Sequence, residues 1–468
     1  MNNSNKTKPR LRFFEDAPGQ QHIAEGDQYL YQRPVPSHNL VVIGTGTIGQ
    51  EHMRVATLLG RAQIHGIYDT QKHSMDTAEA NFASYSDKSL LRYPDLESAC
   101  NDPAVDALFI CTPNYTHFEI LHTAIKSGKA IFLEKPMATD LQDAAATEAM
   151  ARDYPSFIQI GLQYRYKAQY VEAFHEALDR ASLGKIKTIS LSEYRPPFLD
   201  KVGQWNKFNI TSGGTLVEKC CHYFDLINLL AQSQPVKVYA SGGQAVNFID
   251  FERDGKKSDI DDHAFVVIDY ANGTKANFTL NMFCHDFSEE LIVSGDCGRL
   301  SAKEVFNFHQ QQGSVASLAI EAGEMGPSKS MDVTYPALIE QSGHHGATYF
   351  EHIAFVDQLE AKSVSAATPL QGLWSMIVAS AAQASMASGG AVDINQFMTA
   401  NGLAHYLEHM LFKGTDQYGS YDWSKEKPLL DQIDALYEQY NSTKDEVLRT
   451  VIYHKIDSTS QLAAKFAI

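Results

Sequence analysis

The stretch "NLVVIGTGTIGQEHM", residues 39–53, sets a short apolar run directly against three glycines and a helical pattern. Leu40 to Ile43 read as a strand buried on both faces, because no polar residue alternates with them. Gly44, Gly46 and Gly49 follow with the spacing Gly-x-Gly-x-x-Gly, where the strand passes into the helix. Glycines there permit a tight turn and let a pyrophosphate approach the backbone. The first helical N–H groups, around Thr47 and Ile48, supply donors and a positive dipole end. Asp69 follows Gly49 by 20 residues (69 − 49), at the end of the next apolar run, "IHGIYD" (64–69). A carboxylate there can hydrogen-bond a ribose 2′-hydroxyl and would repel a 2′-phosphate, so NAD is expected. NADP is the alternative, because Lys72 and His73 lie close by in sequence.

The same rhythm continues outward. "ALFICTP" (107–113), "AIFLEKP" (130–136) and "FIQIGL" (157–162) are further short strands, with amphipathic stretches at 48–59 and 115–127, the second stopped by Gly128. Short apolar strands separated by helices predict a parallel sheet with crossover helices. After about residue 185 the strands lengthen and alternate, as in "KIKTISLSEYR" (185–195) and "VKVYASGG" (236–243). Residues 263–283 read as a hairpin turning at Asn272-Gly273. Residues 216–231, 347–361 and 369–387 read as helical, and 313–346 as a long loop region. The expected fold is an α/β Rossmann domain (38–158), then an α+β domain with a large open, mainly antiparallel sheet (159–398). An N-terminal arm (1–37) precedes them and a short helical appendage (399–468) follows.

Composition narrows the function. The chain has 468 residues, 44% hydrophobic and 20% charged, with a formal net charge of −17. That balance excludes nucleic acid or an anionic membrane as the main partner, since both demand a basic surface. Six cysteines without a CxxC pair read as reduced thiols. The first twenty residues lack the apolar core of a signal peptide, and no run of 18 apolar residues occurs. A cytoplasmic protein is expected.

"CTPNYTH" (111–117), "EKPM" (134–137) and "SGGTLVEKCCHYFDL" (212–226), taken with the glycine spacing, resemble the glucose–fructose oxidoreductase/inositol dehydrogenase (Gfo/Idh/MocA) family over about residues 38–390. The resemblance implies a Rossmann domain, a second domain whose open sheet serves in oligomer contacts, and an active site at the domain junction. It places Glu134 and Lys135 among the cofactor-binding residues, with Lys135 beside the nicotinamide and the substrate hydroxyl. It makes His222 the proton acceptor and sets Glu218 where the family carries aspartate; Cys220 stands where glycine is usual. Thr112, Pro113, Asn114 and His117 resemble the cofactor-contacting loop. The chemistry agrees: oxidising an alcohol needs a base near neutral pH and a cation for the developing alkoxide. Tyr164 and Arg165 end a strand and are candidates for substrate contacts. His344-His345 read as part of a flexible loop.

The resemblance implies an NAD(P)-dependent dehydrogenase of a polyol, cyclitol or sugar-like alcohol, with myo-inositol the default, acting as a homo-oligomer (dimer or tetramer). The alternatives are an NAD-dependent lyase or glycosidase without net redox, and a nucleotide-sensing protein. The tail poses a separate question. His405, Glu408 and His409 have the order His-x-x-Glu-His, which on a helix can hold zinc. Residues 402–445 resemble the N-terminal part of insulinase/pitrilysin-type metallopeptidases. Only 59 residues (468 − 409) follow His409, too few for that family's third ligand. No metal and no peptidase activity are expected.

Overall fold

The first apolar run forms strand β1 (His38–Ile43), buried from Leu40 onward. It lies in a six-stranded parallel sheet with β2 (Ala62–Tyr68), β3 (Leu91–Arg92), β4 (Ala107–Ile110), β5 (Ala130–Glu134) and β6 (Ile158–Gly161). The strand order is β3-β2-β1-β4-β5-β6. β4, β5 and β6 are buried along their whole length, which matches their unbroken apolar sequences. The order reverses beside β1, and open sheets of this kind take ligands at the C-terminal strand ends of such a switch point.

The computed structural model describes residues 35–306, 314–323, 328–362, 366–403, 423–443 and 446–463. The chain divides into two compact units. The parallel-sheet unit comprises residues up to 135, 154–171 and 333–368, and the second comprises 136–153, 172–332 and 369 onward. Where the sequence suggests a single boundary at 158, the units interleave. The helix Ala347–Leu359 returns to the parallel-sheet unit because its apolar residues complete that core. The Phe355 ring lies 4.8 Å from Phe109 and 5.1 Å from Phe157.

The second unit is built on a nine-stranded sheet. Its strands are β7 (Ile186–Tyr194), β8 (Pro235–Gly243), β11 (His263–Tyr270), β12 (Lys275–Asn281), β13 (Phe287–Gly295), β14 (Arg299–Phe306), β15 (Val315–Glu321), β16 (Lys329–Asp332) and β17 (Val392–Asp393). The two-residue strands β9 (Glu252–Arg253) and β10 (Lys256–Lys257) pair separately. The order is β16-β15-β14-β13-β7-β12-β11-β8-β17. β7 and β12 run parallel, and the other pairings are antiparallel. Gly273 turns the β11–β12 hairpin at φ +88°, as the Asn-Gly pair requires.

Alternation gives this sheet one buried face. Phe278 stacks on Tyr223 (5.0 Å) of the helix Cys221–Ala231. Ser385, on the helix Pro369–Ser388, accepts the Ala240 N–H at 2.8 Å. Phe265 and Tyr239 remain exposed.

Two local expectations change. The segment 313–346 contains β15, β16 and the short helix Ala337–Glu340; strand pairing with β14 orders what composition alone marks as loop. Residues 216–231 form two helices, Thr215–Glu218 and Cys221–Ala231. Near the C-terminus, Trp423–Ser442 and Glu446–Ala463 form a helical hairpin around Ile433, Leu436, Ile452 and Ile456. Residues 1–34 of the arm, and His405, Glu408 and His409, lie outside the described residues.

Candidate active site

Steric necessity explains two of the three glycines. Gly44 leaves β1 at φ +91°, and a Cβ there would meet Thr112 Cγ2 at 2.7 Å and the Cys111 carbonyl at 2.8 Å. A Cβ on Gly49 would lie 2.0 Å from the Gly44 oxygen, so glycine lets the helix Thr47–Leu59 close on the turn. Gly46 differs: a Cβ there would meet nothing within 4 Å. It caps the helix without a side-chain hydrogen bond, and the first turn holds no acidic residue. Gly46 and Thr47 are exposed and Ile48 is half-buried. Bare backbone at an uncapped helix N-terminus fits a pyrophosphate.

Asp69 stands one residue past β2 and braces this loop. Its Oδ2 accepts the Thr45 N–H at 2.8 Å and the Thr45 hydroxyl at 3.2 Å, and its Oδ1 accepts the Gln71 N–H at 2.8 Å. Lys72 and His73 begin the following helix, Lys72–Phe82.

The loop after β4 lies beside the glycine turn, tied by the Cys111 N–H to the Ile43 oxygen at 2.8 Å. Thr112 and Pro113 lead into a 3₁₀ turn, Asn114–Thr116, and then the helix His117–Ala124. Asn114 and His117 are both buried. His117 Nε2 donates to the Thr112 oxygen at 2.9 Å, so this histidine shapes the loop from behind.

β5 ends in Glu134, and Lys135 follows, half-buried. The Glu134 carboxylate is buried. Its Oε1 lies 2.8 Å from His52 Nε2, and its Oε2 accepts the Lys135 backbone N–H at 3.1 Å. Burial opposes its charge, but the His52 hydrogen bond and the Lys135 ammonium hold its carboxyl below the ordinary range. His52 Nδ1 in turn lies 2.8 Å from His352 Nε2. Glu351 is fully buried, and burial, reinforced by Glu134 and Glu51, pushes its carboxyl well up.

Tyr164 and Arg165 occupy a 3₁₀ turn after β6, Gln163–Tyr166, and both are buried. The glycine turn, Asp69, the β4 loop, Lys135 and this turn thus stand at the C-terminal ends of five strands of one sheet. His344 is held in place: its Nδ1 lies 2.7 Å from Glu51 Oε1. His344 and His345 both adopt positive φ, in a defined turn rather than a loose loop.

In the second unit, Glu218 ends one short helix and His222 is the second residue of the next. The helix expected over 216–231 is interrupted at Lys219 and Cys220. The Glu218 and His222 side chains are both buried, at 3% and 2% exposure. Lys201 Nζ lies 2.9 Å from Glu218 Oε1 and 4.4 Å from the centre of the Trp205 ring. Lys219 turns away to Glu193, Nζ to Oε1 3.0 Å, and Cys220 is fully buried. Among the described residues no cluster of three or more His, Cys, Asp or Glu side chains suits a metal. No disulfide joins any of the six cysteines, and three of them are buried.

Sequence reasoning missed His52, His352 and Lys201. His52 was legible in part, as a polar residue on the buried face of the helix, three positions after Gly49. His352 and Lys201 carry no local signal; their partners lie far away in the chain.

Residues 38–162 match the family model described as "Oxidoreductase family, NAD-binding Rossmann fold" (GFO_IDH_MocA), and residues 175–394 match the family's C-terminal alpha/beta domain. An uncharacterized oxidoreductase of Bacillus subtilis, YrbE, is 26% identical over 239 residues, which cover 50% of this chain and 64% of that protein. The myo-inositol 2-dehydrogenase of Thermotoga maritima is 25% identical over 267 residues, covering 56% of this chain and 75% of its own. In fold, the chain is similar to the scyllo-inositol dehydrogenase from Lactobacillus casei, solved with NAD(H) and scyllo-inositol. That structure has a TM-score of 0.60 and 20% identity, covering 76% of this chain and 99% of the other. With both halves of the family matched in order on a Rossmann sheet and a mainly antiparallel second sheet, the chain belongs to the Gfo/Idh/MocA oxidoreductase family.

Proposed function

We propose that this protein is an NAD-dependent dehydrogenase that oxidises a secondary hydroxyl of a polyol, cyclitol or sugar-like alcohol, with an inositol as the first substrate to test. The carrying observation is Lys135 at the end of β5, its backbone held by Glu134, in a unit whose glycine turn is shaped for a dinucleotide. The relatives named for inositol dehydrogenation support the substrate class. The Gly46–Ile48 backbone holds the pyrophosphate, Asp69 receives a ribose hydroxyl, and Thr112 to Asn114 line the cofactor's path. Bound NAD would supply the hydride acceptor for the alcohol carbon. The Lys135 ammonium stabilises negative charge developing on the alcohol oxygen. A ring nitrogen of His222 accepts the hydroxyl proton. Glu218, held by Lys201, orients the substrate beside that histidine. Tyr164 and Arg165, in the turn after β6, are the candidates for contacts to polar substrate groups. Residues 38–158 serve as the cofactor domain and 159–398 as the substrate domain.

We further infer a cytoplasmic homo-oligomer joined through the open sheet face that carries Phe265 and Tyr239, which light scattering would test. The activity is tested by following NADH on mixing protein and NAD with inositols, sugars and sugar acids. The reading requires NADH with one substrate class, and its loss in Lys135→Ala with NAD binding retained. Undiminished turnover in that variant would remove Lys135 from the chemistry.

A further inference from the structure

A chain of buried polar groups lies beneath Lys135 and has no part in the steps above. It joins three elements of the parallel-sheet unit: His52 on the helix Thr47–Leu59, His352 on the helix Ala347–Leu359, and Glu134 at the end of β5. His52 and His352 are each 1% exposed. Their rings are wedged among aromatics, His52 at 4.9 Å from Phe132 and His352 at 5.1 Å from Phe109.

The hydrogen bonds run in one direction along the chain. His352 Nδ1 has no hydrogen-bond partner among the described residues, and burial keeps this imidazole from protonating. Its single proton therefore belongs on Nε2, where it is donated to His52 Nδ1 over 2.8 Å. His52 Nε2 then donates to Glu134 Oε1 over 2.8 Å, and Glu134 Oε2 accepts the Lys135 N–H over 3.1 Å. Each donor meets an acceptor, so the carboxylate is fixed at both oxygens. Lys135 and His344 also face it electrostatically. Glu134 and Arg165 act on the neighbouring Glu351. Burying two imidazoles and a carboxylate is costly unless they are paired, and an apolar residue at 52 would fill the same space without that cost.

We propose that His52 and His352 are positioning residues: the imidazole pair fixes the Glu134 carboxylate, which fixes the backbone and the charge environment of Lys135. This rests on the dehydrogenase reading for the role of Lys135, but its geometry does not. The test uses the full chain with His52→Leu, His352→Leu and the donor-preserving His52→Gln. Labelling of the Lys135 amine by an amine-specific reagent is followed against pH by mass spectrometry, without NAD or substrate. Steady-state NADH formation is measured in parallel.

We expect His52→Leu to raise the Lys135 labelling rate at pH 8 about threefold or more, because a Glu134 stripped of its donor no longer fixes the Lys135 backbone or holds its carboxylate in place beside the amine. kcat should fall about 10- to 100-fold with the alcohol KM nearly unchanged, and His52→Gln should recover most of both. His352→Leu should show a smaller effect of the same sign, and it carries the test if His52→Leu does not fold. A folded variant whose Lys135 profile superimposes on the parent overturns the proposal. Because labelling needs no turnover, it separates this outcome from failure of the dehydrogenase reading, which Lys135→Ala tests alone.

Discussion

Glu134 and His52 meet at 2.8 Å in the interior of the parallel-sheet unit, so the helix that opens with the glycine turn is bonded to the strand end that presents Lys135. The glycine turn and Lys135 are thereby linked through one buried contact. Lys135 directly follows that strand, and its backbone is held by Glu134, which suits the proposed role of meeting a developing charge without reorganising.

The glycines should separate folding from binding. Gly49→Ala forces a Cβ to within 2.0 Å of the Gly44 oxygen, and overpacking of this kind costs about 1–3 kcal/mol. Gly46→Ala meets open space at a backbone angle, φ −70°, that alanine adopts freely. Thermal melting should fall for Gly49→Ala and stay near the parent for Gly46→Ala. NAD titration should show weakening in both, by about tenfold for Gly46→Ala, a loss of roughly 1.4 kcal/mol.

Asp69 braces the glycine turn and, in the proposed function, also selects NAD; one substitution should expose both. Asp69→Ala removes the acceptor for the Thr45 and Gln71 N–H groups, at a stability cost of about 1–3 kcal/mol. It also removes the charge that disfavours a 2′-phosphate. The ratio of kcat/KM with NAD to that with NADP should drop at least tenfold. An unchanged ratio would leave Asp69 with the structural role alone.

Glu51 should make the protein acid-sensitive over a defined window. Burial works against its charge, but the charge of His344 and the hydrogen bonds from His344 and Thr348 win, and its carboxyl is lowered from 4.5 to about 2. A depressed carboxyl stabilises the folded state fully above pH 4.5, and that contribution is lost as pH falls toward 2. The shift corresponds to about 3 kcal/mol. Glu51→Gln should be less stable than the parent at pH 5, and the difference should shrink progressively by pH 2.5, as read from urea midpoints.

The helical hairpin Trp423–Ser442/Glu446–Ala463 has its own small apolar cluster, and the family match ends at residue 394. A chain ending at Leu403 should therefore bind NAD and form NADH as the full protein does. Elemental analysis of untagged full-length protein should find no stoichiometric zinc; one equivalent would revive the His405/Glu408/His409 site.

The Rossmann half was legible in one dimension because its signals are local. A glycine whose Cβ would strike the adjoining turn, a buried apolar strand and a carboxylate 20 residues on (69 − 49) each follow from neighbouring chemistry. The Asn272-Gly273 hairpin was legible for the same reason. The strands at 315–321 and 329–332 were not, since their order comes from pairing with β14 rather than from their own composition. Nor was the break between Glu218 and Cys221, which divides a segment that periodicity reads as one helix. The His352–His52–Glu134 chain was the least accessible: its first bond spans 300 positions and its second 82. No local pattern encodes such contacts. They exist because the helix Ala347–Leu359 completes the core of a sheet built far earlier in the chain, and burial then obliges each polar group to find a partner there.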